Sequence, residues 1–327
     1  MVTRVQVRPT LLAWAADRSG LDSAKINARF AGFAKWLGGE ADPTFKQLEA
    51  FAAYTHTPLG YFFLPEPPAE AVPIPDFRTL GNTAVSRPSP DLLDTIYDCQ
   101  TRQEWYREYA QTEGLEPLAF VGSVEPGAAA VDVATVIRSA LGFGTAQRAK
   151  CRTHDDVRNH LINAIEGLGV LVMVSGVVGN NTHRRLNTRE FRGFAIADPL
   201  APLIFVNGAD TKAAQLFTLI HELAHIWAGD TALSDADMSA RSGQDKELWA
   251  NKVAAEVLVP QAELKAVWPA SSNTDDLERT AALFKISTLV TLKSAFDAGL
   301  IGWDDYRSRY QAEWDRVQRL TNERGSN

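Results

Sequence analysis

Residues 212–228 constrain this chain more than any other stretch. Helical spacing runs from Lys212 to Ala228, and the positions around its centre, Phe217, Ile220, Ala224 and Ile226, are apolar. A helix of that composition belongs in a core and offers one polar edge. The edge is His221-Glu222-Leu223-Ala224-His225, an H-E-x-x-H arrangement. Histidines at i and i+4 lie on the same helical face about one turn apart, so two imidazoles can reach one ion. Glu222 sits beside the first of them, where it can take a proton from water without itself binding the metal.

The flanking segments read as a small sheet with helices around it. GLGVLVMVSG (167–176) is a short apolar run between glycines and reads as a buried strand. The polar stretch 177–190, with His183, Arg184 and Arg185, reads as an exposed loop or hairpin. FRGFAIAD and APLIFVN follow as two more strands joined near Pro199, and Asp210 is the expected cap of the central helix. After a polar loop, 229–244, a helix runs over 245–258 until Pro260 stops it, and 275–320 is again helical. Upstream helices are expected at 91–112, 131–141 and 154–166, with a loop of small residues at 120–130. Three strands followed by helices imply a mostly helical α+β fold, its sheet packed on the motif helix.

Residues 11–63 read as short helices: Leu11, Leu12, Ala15 and Ala16 on one face, then Ile26, Phe30 and Phe33, then Phe45 to Tyr54 behind Thr44 as cap. PEPPAEAVPIPDFRT (65–79) holds five prolines and cannot be helix interior. The expected division is a helical domain over 1–75, a linker and helical connector over 76–130, and a metal-site domain with C-terminal helices over 131–327.

The chain has 327 residues, 45% of them hydrophobic, and a net charge of −7. Nothing in that balance calls for nucleic acid or an anionic membrane as the main partner. Its two cysteines, Cys99 and Cys151, are too few for a disulfide framework. The first residues show no secretory pattern, and no window approaches the ~18 apolar residues of a membrane span. Cytoplasmic residence is expected.

Two imidazoles need a third ligand. A metzincin would have glycine and histidine where this chain has Ala228 and Thr231, so that class is excluded. Asp230, Asp235, Asp237, Asp245, Glu247 and Glu256 are all in range. Glu247 opens ELWANKVAAEVLVP, a helix with Leu248, Val253, Ala254 and Val257 on its apolar face, and lies 22 residues after His225, room for a loop and a return. Asn251, one turn later, can orient a ligand histidine. A glutamate in a first helical turn is otherwise a solvated carboxylate favoured by the helix dipole, and Glu256 stays in reserve. Zinc is the expected metal. The strand Phe191–Ala197 is the candidate edge to which a peptide substrate adds, with Arg192, Gly193, Phe194 and Ala195 as substrate-binding residues. His183, Arg192 and Tyr306 are candidates for stabilising an oxyanion.

FTLIHELAHIW followed by ELWANKVAAEVLVP resembles the ImmA/IrrE family of metallopeptidases, as do LIFVN before it and ISTLVTLKSAFDAGLI after it. PLGYFFLPEPP and PIPDFRT resemble the subgroup with an N-terminal helix-turn-helix-like, repressor-like region. The resemblance implies a gluzincin-like site: His221, His225 and Glu247 on zinc, Glu222 as catalytic base. It also implies cleavage of a repressor-type transcription factor, or a place in a toxin–antitoxin or mobile-element locus. Many relatives carry a basic residue where this chain has Ala213, Ala214 and Gln215, and a basic pair where it has TLKSAF; neither departure touches the proposed metal ligands.

Between Gly20 and Trp36 there is little room for a full recognition helix, and residues 1–75 carry seven basic and seven acidic side chains. A DNA reader normally presents a basic face, so docking on protein is favoured over reading DNA. Two functions follow. One is a zinc endopeptidase cutting a specific protein. The other is an antitoxin-like or regulatory protein that binds a cognate toxin or repressor and whose metal site is structural or vestigial. Retention of Glu222 and only three good ligands favour the first.

Overall fold

The computed structural model describes residues 3–75, 88–125, 127–233, 245–269 and 274–325. Contacts divide it into two compact units, the first including residues 3–73 and 88–98, the second residues 74–75 and everything described from 99 onward.

In the first unit α1 (Pro9–Arg18), α2 (Ser23–Arg29), α3 (Phe33–Leu37), α4 (Phe45–Tyr54) and a 3-10 turn (Leu59–Phe63) surround one apolar centre. Each helix contributes through the positions its spacing marks: Leu11, Leu12 and Ala15, then Ile26, then Phe33 and Trp36, then Leu48 and Phe51. Phe51 is the hub, with Phe30, Phe33, Trp36 and Phe62 within 5.1–6.3 Å ring to ring. Thr44 and Gln47 close a reciprocal capping box on α4. Arg18, buried, pairs with Glu70 at 2.5 Å.

The helix α5 (Pro90–Thr112) leads to α6 (Ala130–Ala140), α7 (Thr145–Lys150) and α8 (His154–Gly167). Next come β1 (Leu171–Ser175), the hairpin β2 (Val177–Val178) and β3 (Asn181–Arg185), β4 (Gly193–Ile196) and β5 (Leu203–Asn207). The motif helix is α9 (Lys212–Ala228). After it come β6 (Ala232–Leu233), α10 (Asp245–Leu258), α11 (Gln261–Val267), α12 (Thr274–Phe284), α13 (Thr288–Asp297) and α14 (Trp303–Gly325). The mostly helical α+β architecture is the one expected from the order of apolar runs.

The main sheet has the order β1-β5-β4-β6, with β1 parallel to β5 and the other pairs antiparallel. Register pairs Gly193 with Val206 and Ala195 with Ile204. Because side chains alternate across a strand, Ala195, Ile204 and Val206 share one face and enter the same core as Leu216, Leu219, Ile220 and Leu223 of α9. Phe194 and Phe205 point the other way and stack at 5.1 Å.

Two local expectations are corrected. The cap of α9 is Thr211, whose hydroxyl accepts from the Ala214 amide at 3.3 Å. Asp210 stands one residue earlier, accepting from the Thr211 amide. The second concerns the sheet edge. Phe194 and Ala195 are not free to receive a peptide, because β6 pairs with them opposite β5. The two-residue β6 lies inside the stretch expected to be loop. Residues 234–244 of that stretch, with the ligand candidates Asp235 and Asp237, lie outside the described residues.

The C-terminal end of α9 is clamped. Gly229 takes φ +70°, which lets the helix turn off, and its amide and that of Asp230 return to the last-turn carbonyls. The Ile226 carbonyl also accepts from the Gly122 amide, and the Trp227 carbonyl from the Val124 amide, both at 3.1 Å. A Cβ on Gly229 would stand 2.9 Å from Cα of Gly122, so two glycine backbones meet where no side chain fits.

Candidate metal centre

Helix α9 is buried along nearly its whole length, and His221, Glu222 and His225 are all buried with it. The i, i+4 spacing brings the two rings to 4.8 Å between centroids and the two Nε2 atoms to 3.1 Å. The first turn of α10 comes over them. Its Glu247, 2% exposed, puts Oε2 3.2 Å from His221 Nε2 and Oε1 3.1 Å from His225 Nε2. Glu247 is thus turned inward, and its environment is not that of a solvated first-turn carboxylate. Among the described residues, His221, His225 and Glu247 form the one cluster able to hold a metal ion.

The donor set fits a divalent cation. Four ligands arranged tetrahedrally at ~2.0–2.1 Å from an ion stand roughly 3.3 Å from one another. Here the two nitrogens stand 3.1 Å apart, and Glu247 sets one oxygen 3.2 Å from His221 and the other 3.1 Å from His225. Two imidazole nitrogens and a carboxylate supply three of the four ligands that a tetrahedral ion takes.

The protonation balance agrees. Burial pushes the Glu247 carboxyl up, but its hydrogen bonds and charge interactions with His221 and His225 more than reverse this and hold it well below the usual carboxylate range. Burial alone would lower His221, yet Glu247 first, and Glu222 and Asn251 after it, raise it. His225 is lowered, by burial first and by the neighbouring His221 as well. An anionic Glu247 beside a neutral His225 is the state a cation would bind, and His221 would give up its proton on binding.

Glu222 lies on the neighbouring edge, where β4 comes so close that a Cβ on Gly193 would be 3.0 Å from Glu222 Oε1. That Cβ would also stand 2.6 Å from Thr218 Cγ2 and 2.7 Å from the Phe205 carbonyl oxygen. Only glycine lets the strand pass the carboxylate this closely. Arg192, next to it, gives its carbonyl to the Asn207 amide at 2.8 Å and turns its guanidinium to Asp210 at 3.5 Å. Asn251 stands one turn beyond Glu247, beside His221. Glu256 lies elsewhere: its carboxylate oxygens each accept from the Gln261 amide at 3.2 Å, at the start of α11. Of the three oxyanion candidates, His183 is exposed on β3, Arg192 is engaged with Asp210, and Tyr306 lines a cavity that Asn251 also lines. That cavity has no signal in the sequence: its walls come from four helices and include Phe217, its ring 6.3 Å from that of His221.

Among the described residues no helix is long and apolar enough to cross a membrane. A search of curated proteins finds no match to this chain. Residues 165–295 match the family model of the IrrE N-terminal-like domain, Peptidase_M78. The matched segment carries β1 to β6, α9 and α10, and with them the whole triad. The match supports the ImmA/IrrE family and a metallopeptidase-like role, with protein as the class of substrate.

Proposed function

We propose that this protein is a zinc-dependent endopeptidase that acts in the cytoplasm and cleaves a specific protein target of the repressor or toxin class. The observation that carries the reading is the meeting of His221, His225 and Glu247 at 3.1–3.2 Å with Glu222 at the adjoining helix position. His221, His225 and Glu247 would hold the ion, and when bound it would polarise a carbonyl and acidify water.

The chain's own residues supply the rest. Glu222 takes the proton of the attacking water and delivers it to the departing amine, as a buried base held beside the ligands. Asn251, one turn after Glu247 on α10, orients the His221 ring, a positioning role. The Arg192–Gly193 end of β4, beside Glu222, orients the substrate backbone. Glu222→Gln keeps nearly the same shape and cannot accept the proton. It should retain zinc and fold while losing about 10²–10⁴-fold in turnover. Complementation in the native host, run beside zinc analysis of both proteins, is the test. Wild-type behaviour of Glu222→Gln there would replace the enzyme by an antitoxin-like binding protein.

A further inference from the structure

A cavity of about 80 Å³ adjoins the triad on its His221 side. Two features fix it there: Phe217, in its wall, stands one helical turn before His221 with the two rings 6.3 Å apart, and Asn251, also in its wall, stands one turn after Glu247 on α10. Leu248 and Tyr306 make the rest of the nearby surface apolar. A second cavity, of about 500 Å³, shares Lys252, Ala255, Ser294 and Asp297 with the first and continues away from the triad towards Val131.

Two polar groups on the shared wall have no internal use. Ser294 is 3% exposed, and its Oγ has no hydrogen-bond partner among the described residues. Lys252 is exposed and takes part in no ion pair among the described residues, whereas its neighbour Lys293 is held by Asp297 at 2.5 Å. A buried hydroxyl without a partner favours a ligand that brings a hydrogen-bonding group. An ammonium without an ion pair at the mouth favours an acidic group at this place.

We propose that the smaller cavity receives the substrate side chain next to the scissile bond, that this side chain is aliphatic, and that Lys252 pairs with an aspartate or glutamate on the adjoining stretch of substrate, which follows the larger cavity. The inference rests on the peptidase reading and specifies its substrate class. Size sets the first part: an apolar cavity of ~150 Å³ admits benzene, so one of about 80 Å³ suits valine or leucine better than an aromatic ring. Ser294 offers its hydroxyl to the substrate backbone between the two cavities.

The test uses the zinc-loaded full chain and a peptide library randomised over six positions, with cleavage sites read by mass spectrometry. Wild type should favour valine or leucine over alanine by about tenfold at one position flanking the cut, with acidic residues enriched nearby. Lys252→Glu should exchange that acidic preference for lysine and arginine, a change of about two- to fivefold, as expected of an exposed pair. Ala255→Leu should fill the shared wall and move the flanking preference to glycine and alanine. Zinc content equal to wild type shows that each variant is folded. Should Ala255→Leu fail to fold, Lys252→Glu decides alone, since its side chain is exposed. Cleavage with a flat flanking profile, or a Lys252→Glu profile identical to wild type, overturns the inference and leaves the peptidase standing. If neither wild type nor variant cuts any peptide or protein while zinc is bound, the peptidase reading falls and takes this inference with it.

Discussion

Adding one methyl group to Gly193 tests the reasoning about the site where it is tightest. The alanine Cβ would meet Thr218 Cγ2 at 2.6 Å, the Phe205 carbonyl oxygen at 2.7 Å and Glu222 Oε1 at 3.0 Å. A side chain can rotate away, but the Phe205 oxygen belongs to the strand paired with β4. To regain ordinary contact, β4 must move by roughly 0.7 Å, since carbon and oxygen rest near 3.4 Å. Overpacking of this kind costs about 1–3 kcal/mol. A displacement approaching 1 Å beside a catalytic group costs about 10²-fold in rate. Gly193→Ala should therefore lower the midpoint of urea denaturation and reduce turnover on the best library peptide by about 10- to 100-fold. Zinc content should hold, because the triad rides on α9 and α10 and not on β4. Combining it with Thr218→Ala removes one of the three clashes, so the two changes should couple by more than the ~0.5 kcal/mol that independent sites show. An unchanged midpoint and rate, or strict additivity with Thr218→Ala, would refute the account of this strand.

The remaining predictions concern the two glutamates of α10. Glu247→Ala should weaken zinc binding by more than about 100-fold in a competition titration, since losing even an outer partner of a ligand costs 10–100-fold; Glu256→Ala should leave it unchanged, and the reverse ranking would move the ligand. Burial raises the Glu256 carboxyl above its ordinary value, while the Gln261 amide opposes this. The folded state therefore holds that proton more tightly than the unfolded chain, and stability falls as pH rises from about 4.3 through the folded value. Glu256→Gln does not titrate, so it should exceed wild type in stability at pH 7 and lose that advantage near pH 4; equal stability at both would show that this carboxyl is not destabilised.

Helix α9 was legible to the residue because its spacing, its apolar centre and the glycine after Ala228 all point to one boundary. Helix α10 was legible for a similar reason, with Pro260 beyond its end. The cap of α9 was misplaced by one position because Asp210 and Thr211 are both good caps, and only the tertiary pairing of Asp210 with Arg192 separates them. β6 was illegible: two residues, Ala232 and Leu233, carry no periodicity, and they form a strand only because β4 stands opposite. Missing it made β4 look like an open edge. The cavity escaped for a different reason. Phe217, Leu248, Ser294 and Tyr306 are separated by some 90 positions, and helical spacing shows which face each residue takes without showing which faces meet.

The glycine pair at the end of α9 has a consequence for when the ordering of this centre is paid. Gly122 and Gly229 touch backbone to backbone, and the amides on either side of that contact hold the carbonyls of Ile226 and Trp227, the two residues that follow His225. With Thr211 fastening the other end, α9 is a beam supported at both ends, and the imidazoles cannot lean without breaking a support. Their orientation is settled during folding, so arrival of an ion or a substrate has little left to organise there. Widening the joint, by a side chain at either glycine, would return that ordering to the moment of binding.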